Sequence, residues 1–257
     1  MDGMTELDQS LATPEKKRQY NRRLFATIAH RYDLITRLLS FGRDQAWKQM
    51  VVTLANVRAG DRVLDLASGT GDLAFAAEAR GARVTGLDLT PRMLTFAQSK
   101  AASLNSRASW VAGDMCAMPI ADQQFDVVTT GYGLRNVPDL NGALKEIHRV
   151  LKPGGRLCSL DFDKPEAAWL RAVYLAYLNI VGGTLGWVLH RDPDTYRYIP
   201  ASIKRYPGAR GVVRMMQDAG FVDVRHVRVL GGFMAIHVAT SGPCESRAAE
   251  TPADPRR

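Results

Sequence analysis

At 257 residues the chain is long enough for one well-buried α/β domain with an embellishment, and 46% hydrophobic with 23% charged residues excludes a fibrous repeat or bulk disorder. Lys and Arg number 34 against 26 Asp and Glu, a net charge of +8 that suits an anionic membrane surface, nucleic acid or no special partner. Much of the excess is local, in Lys16, Lys17, Arg18, Arg22 and Arg23 near the start and in Arg191, Arg197, Lys204, Arg205, Arg210 and Arg214 later.

Residues 1–15 are polar and aperiodic, as are 241–257, so both read as disordered tails around a single domain over 16–240. Over 20–39 Leu24, Ile28, Ile35, Leu38 and Leu39 recur near helical spacing, with Phe25 and Tyr32 on a neighbouring face, and Gly42 ends the pattern. A second helix is expected over 47–54. Helices ahead of the first strand cannot join a parallel sheet, which makes 20–55 a natural lid over the crevice the sheet forms.

Val63-Leu64-Asp65-Leu66-Ala67-Ser68-Gly69-Thr70-Gly71 is an apolar strand carrying a carboxylate into a glycine turn, and a helical pattern follows over 73–79. Gly69 and Gly71 let the backbone approach a ligand with no Cβ in the way, while free N–H groups opening the helix point at it. Asp88 closes the next apolar run, Arg83-Val84-Thr85-Gly86-Leu87, where an acid at the end of a second parallel strand accepts both hydroxyls of a ribose. Gly69-Thr70-Gly71-Asp72-Leu73-Ala74 also satisfies a loose dinucleotide fingerprint. Asp65 decides against that: it repels a pyrophosphate and attracts an ammonium or sulfonium group, which favours S-adenosylmethionine over NAD.

Thr90-Pro91 starts another sheet-covering helix, with Met93, Leu94 and Ala97 as its apolar stripe. Trp110-Val111-Ala112-Gly113-Asp114-Met115 is a third short strand whose terminal acid is placed to accept from an adenine amino group, and Phe125-Asp126-Val127-Val128 is a fourth. Asp139 caps a helix over 140–151 with Leu140, Leu144, Ile147 and Leu151 inward, which leaves His148 toward solvent; Leu151-Lys152-Pro153-Gly154-Gly155 then stops it before a fifth strand over 156–161. An insert follows over 163–211. Its apolar run, 172–189, is about 18 residues, the lower limit of a membrane span, but Asn179, Gly182, Gly183 and Gly186 interrupt it, so one or two helices roofing the substrate crevice are expected. A helix over 212–219 and two strands, 222–230 and 233–240, joined through Gly231-Gly232, are expected to complete a mostly parallel seven-stranded sheet with a C-terminal antiparallel hairpin, which resembles the Rossmann-like fold of class I methyltransferases.

Cys116, Cys158 and Cys244 form no C-x-x-C, and His30, His148, His190, His226 and His237 form no H-x-x-x-H or H-x-H, so no metal site is expected and the thiols suit a reducing compartment. The polar, acidic start lacks the pattern of a secretory signal, and a cytoplasmic location is expected.

From about Phe25 to Val238 the chain resembles the ubiquinone/menaquinone biosynthesis C-methyltransferases. The residues that carry the resemblance are Ala29-His30-Arg31-Tyr32-Asp33, Leu39-Ser40-Phe41-Gly42, Trp47-Lys48, Gly131-Tyr132-Gly133-Leu134-Arg135-Asn136-Val137, Asp194-Thr195-Tyr196-Arg197-Tyr198-Ile199-Pro200-Ala201-Ser202-Ile203 and Met215-Met216-Gln217-Asp218-Ala219-Gly220-Phe221. The resemblance implies cofactor contacts at Thr70, Asp88, Asp114 and Met115, with Asp65, Gly69 and Gly71 framing the loop. Gly131, also placed at the cofactor, departs from members that carry a serine there. The implied reaction is methylation of a ring carbon of a quinol with a polyprenyl tail. It needs a reduced ring and loss of a phenolic proton, for which Tyr32, Arg135 and Asn136 are the candidate polar cluster. A lipid-like quinol, a peripheral membrane contact, a homodimer and no nucleic acid are the expected partners. The readings left open are a class I methyltransferase for another small molecule or RNA and a non-catalytic cofactor-binding subunit.

Overall fold

The computed structural model describes residues 6–40, 42–191 and 194–243. Five helices precede or open the sheet: α1 (Glu6–Ser10), α2 (Pro14–Ile28), α3 (Tyr32–Leu39), α4 (Asp44–Leu54) and, after strand β1 (Arg62–Leu66), α5 (Asp72–Glu78). Then come β2 (Arg83–Asp88), α6 (Pro91–Leu104), β3 (Ser109–Ala112), β4 (Phe125–Gly131), α7 (Leu140–Val150) and β5 (Leu151–Phe162). The insert supplies α8 (Ala168–His190) and α9 (Asp194–Arg205), and α10 (Ala209–Asp218), β6 (Phe221–Val229) and β7 (Met234–Ser241) close the domain.

The seven strands lie in the order β3-β2-β1-β4-β5-β7-β6. β1 to β5 are parallel, and β7 runs antiparallel between β5 and β6. Alternation within each strand sends residues to two buried layers: Leu64, Leu66, Val128 and Leu157 pack with Leu144 and Ile147 of α7, while Val63, Val127 and Cys158 pack with Val51 and Val52 of α4 and Leu73 and Ala77 of α5. The carboxyl ends of β1, β2 and β4 therefore open at one edge, where a parallel sheet presents its crevice.

The lid departs from its periodicity in three ways. Helical structure begins earlier than the aperiodic reading of 1–15 implies, because Thr13 caps α2 by accepting from the Lys16 amide and Pro14 is pre-set for the first turn. The helix expected over 20–39 breaks at Ala29-His30-Arg31 into a tight turn, which redirects Tyr32 and Asp33 toward the glycine loop. The second lid helix opens at Asp44 rather than Trp47, its amide donating to Ser40 Oγ. Strand β5 likewise starts before its expected turn, since Leu151 pairs with Phe125 and the register slips only beyond it. The roof over 172–189 is one long helix, α8, and among the described residues no helix is long and apolar enough to cross a membrane. Ser241, expected to open the C-terminal tail, instead closes β7, and Phe41 and residues 244–257, Cys244 among them, lie outside the described residues.

Candidate active site

Asp88 ends β2, and the backbone fixes it from both sides. Gly69 N–H donates to Oδ2 at 2.8 Å and Thr90 N–H to Oδ1 at 2.7 Å. Each carboxylate oxygen still has a lone pair for a ligand. Burial pushes the carboxyl up from its usual range, and the two amide bonds oppose the shift. It faces a cavity of about 690 Å³ lined also by Tyr32, Gly69, Asp114, Met115, Gly131, Tyr132 and Asn136. Asp114 accepts from the Cys116 amide at 2.9 Å, and its other oxygen lies 2.8 Å from Arg18 Nε on α2.

The glycines act differently from one another. At Gly69 (φ 54°) the nearest atom to an added Cβ is Tyr32 Cε1 at 3.8 Å, so the loop leaves room for a ligand. Gly71 (φ 90°) sits beneath Trp110 and Phe75, whose rings would lie 2.6 and 2.8 Å from a Cβ. Gly71→Ala is therefore expected to cost about 3 kcal/mol of stability through overpacking and strain, measured as a shifted denaturant midpoint at unchanged slope. At Gly131 an added Cβ would meet Leu73 Cδ1 at 3.0 Å, so a side chain there would require that leucine to shift.

A second, apolar cavity of about 850 Å³ abuts the first, walled by Leu24, Ile28, Ile35, Trp47, Phe162, Tyr174, Tyr196, Ile199 and Met234 among others. Phe25, Tyr32, Tyr132 and Asn136 line both cavities and form the partition between them. Asn136 is held there by its Nδ2 donating to Tyr132 O at 2.7 Å and by Tyr198 Oη donating to its Oδ1 at 2.9 Å. Burial pushes the Tyr32 hydroxyl up to about 12, so it stays a neutral donor or acceptor at physiological pH. Of these two cavities Arg135 lines the apolar one alone. Its amide and Nε donate to the two oxygens of buried Asp161 at 2.9 and 3.2 Å, Nη1 donates to Ser202 Oγ, and the guanidinium lies 4.9 Å from the Phe162 ring centroid.

Polar contacts dock the lid on the glycine loop. Thr70 Oγ1 donates to Asp33 Oδ1 at 2.6 Å, and Lys100 bridges Asp33 and Asp72 at 2.9 and 2.6 Å. Lys48 bridges Asp72 and Asp44 at 2.8 and 2.5 Å, and Asp44 Oδ1 accepts from Tyr132 Oη at 2.7 Å. Burial alone would raise the Asp72 carboxyl, but Lys48 and Lys100 hold it well below the usual range.

Of the residues expected at the site, Tyr32, Gly69, Asp88, Asp114, Met115, Gly131 and Asn136 line the cofactor-sized cavity. Three lie behind its wall. Asp65 is 1% exposed and accepts from Thr129 Oγ1 at 2.9 Å, so it shapes the loop from beneath; burial pushes its carboxyl up to about 7, against that hydrogen bond. Thr70 is turned toward Asp33, and Gly71 is covered by the two aromatic rings. Sequence reasoning missed Arg18, whose basic run read as a mere charged arm, and Tyr132 with Asp44, whose pairing no local pattern encodes.

Residues 13–241 match the model of the ubiE/COQ5 methyltransferase family. The chain belongs to this family. It is 42% identical over 217 residues to a demethylmenaquinone methyltransferase of Thermus thermophilus, covering 84% of this chain and 98% of that one. It is 38% identical over 257 residues to a ubiquinone/menaquinone biosynthesis C-methyltransferase of Rubrivivax gelatinosus, covering 98% and 99%. A SAM-dependent methyltransferase structure from Thermotoga maritima shares the fold with a TM-score of 0.62 at 18% identity, over 86% of this chain and 99% of that one. As a ubiE/COQ5 family member the chain is a class I methyltransferase using S-adenosylmethionine.

Proposed function

We propose that this methyltransferase alkylates a ring carbon of a polyprenylated quinol in menaquinone or ubiquinone biosynthesis. The observation that carries the reading is the partition: a cavity faced by carboxylates and a larger apolar one share Phe25, Tyr32, Tyr132 and Asn136, so two ligands of opposite character meet there. The acidic cavity fits the cofactor, with Asp88 for ribose hydroxyls, Asp114 for an adenine amino group and Gly69 for close backbone approach. S-adenosylmethionine supplies a methyl group made electrophilic by its sulfonium. Tyr32 and Asn136 orient the quinol ring, and Arg135, always protonated, adds positive charge beside a developing phenolate. Holding the two reactants across one wall removes roughly 7–11 kcal/mol of barrier, the largest single contribution.

The apolar cavity demands an apolar, reduced acceptor. Activity is expected to require reductant and to fall by at least about tenfold when the prenyl tail is removed, because about 0.8 kcal/mol per buried CH₂ is lost. Comparing kcat/KM for prenylated and tail-less quinols, with and without dithionite, checks this; equal rates across the four conditions contradict it.

The same reading favours contact with the bilayer that holds such a lipid, through α8. Its inner face gives Tyr174 and Tyr177 to the apolar cavity, while Trp169, Val173, Ile180, Trp187 and Val188 are exposed at 60–70%. Helix α8 has no acidic residue, and Arg171 and Arg191 stand at its two ends, which suits an anionic surface. Trp169→Ser with Trp187→Ser is expected to weaken sedimentation with anionic vesicles by about tenfold or more while sparing cofactor affinity. Unchanged sedimentation of the double variant sinks the membrane role of α8.

A further inference from the structure

Methylating the ring carbon of a quinol requires a phenolic proton to leave, yet the described residues lining the apolar cavity include no carboxylate and no histidine. Arg135 only donates, and the other polar side chains of the lining are hydroxyls, the Asn136 amide and the Trp47 indole. Tyr198 is backed by the neutral amide of Asn136. Tyr132 is backed by a carboxylate: its Oη donates at 2.7 Å to Asp44 Oδ1, and Asp44 is 4% exposed.

The surroundings of Tyr132 hold it rigidly at the partition. Its backbone keeps φ at 60°, uncommon for a bulky residue, and is fixed by its amide donating to Leu160 O at 2.7 Å and its carbonyl accepting from Asn136 Nδ2 at 2.7 Å. The ring rests on Phe162, centroids 5.8 Å apart. Lys48 Nζ lies 2.5 Å from Asp44 Oδ2, and a carboxylate facing an ammonium on one side accepts from Tyr132 on the other. The Tyr132 proton is thereby committed to Asp44, and the lone pairs of its oxygen are left for a donor in the cavity. The other charged or titratable groups facing this pair are Tyr32 from α3, Asp72 from α5, and Asp161 with Arg135.

We infer that Tyr132 takes the phenolic proton of the quinol and passes its own to Asp44, making the two a proton relay at the wall between the cavities. This rests on the quinol reading above. As the ring carbon bonds the methyl carbon, the sulfur–methyl bond breaks with its electron pair staying on sulfur. The ring O–H proton moves to Tyr132 Oη and the Tyr132 proton to Asp44 Oδ1, leaving a ketone and a methylated carbon that still bears its hydrogen. That C–H proton then goes to water while the relay returns its proton to the oxygen, which restores the aromatic quinol and the starting state of the pair. One proton is released per methyl group and no oxidant is consumed. Burial keeps the Tyr132 hydroxyl well above its ordinary value, and nearby Asp44 adds to this, so it works as a neutral conduit rather than a standing phenolate.

Tyr132→Phe and Asp44→Asn test the relay, with thermal melts confirming the fold of each. Both are expected to lose about 10²-fold in kcat at pH 7, with KM for the quinol and Kd for the cofactor within about threefold of wild type. Their residual rates are expected to climb about tenfold per pH unit from pH 7 to 9, where wild type is flat, because the phenol must then ionise unaided. A halogenated quinol of lower phenolic pKa is expected to recover most of the Tyr132→Phe deficit. A folded Tyr132→Phe enzyme with normal kcat, or one crippled with neither the pH slope nor rescue, shows that the pair merely braces α4 and overturns the relay. Wild-type failure on every quinol refutes the substrate reading, and the relay with it, and so is distinguishable from failure of the relay alone.

Discussion

Asp88→Ala is expected to weaken S-adenosylmethionine binding by about 10²-fold or more, the loss of roughly 3 kcal/mol that two hydrogen bonds to a charged group supply. The carboxylate faces the cofactor-sized cavity at the end of β2, and the amides of Gly69 and Thr90 fix both oxygens before any ligand arrives. Alanine removes the ligand's acceptor and also strands the Gly69 amide, so the glycine loop loses the contact that sets its approach. Asp88→Asn retains one acceptor oxygen and is expected to fall between alanine and wild type. Isothermal calorimetry on the folded variants decides; unchanged affinity in Asp88→Ala means that the ribose sits elsewhere.

Arg135→Ala is expected to lose about 3–5 kcal/mol of folding stability, because it leaves Asp161, 1% exposed, as an uncompensated buried charge. The same guanidinium holds Ser202 of α9 and lies over Phe162 of β5, so its removal also loosens the apolar cavity. Turnover is expected to fall by about 10²-fold or more, with the cofactor within about threefold of its normal affinity, since Arg135 does not line that cavity. Arg135→Lys should recover little of either, because an ammonium cannot reproduce a planar fork of donors. Replacing the pair together, Arg135→Met with Asp161→Leu, is expected to recover stability and leave turnover depressed, which separates anchoring from chemistry. A single alanine variant that melts and turns over like wild type contradicts both roles.

The sheet and the glycine loop were legible because their signals are local. Val63 to Gly71 announces a strand and turn, and Asp88 and Asp114 end their apolar runs where the crevice opens. Docking of the lid was not legible. Thr70 with Asp33 and Tyr132 with Asp44 join residues 37 and 88 positions apart, and no periodicity selects such partners. The same blindness covers the loop itself: one strand pattern reads Asp65 equally well as facing a ligand or lying beneath it, and its partner Thr129 is 64 positions away. Gly71 looked like a ligand-facing glycine because a positive φ and a covering tryptophan leave the same mark in a sequence.

Single-turnover methyl transfer from cofactor labelled on its methyl group, with demethylmenaquinol and the ubiquinol precursor offered side by side under strong reductant, is the most direct measurement. The label is predicted to appear on a ring carbon of at least one prenylated quinol, and on neither oxidised quinone. Label on an oxygen, equal transfer to the oxidised forms, or no transfer to either quinol by an enzyme that still binds the cofactor would contradict the account.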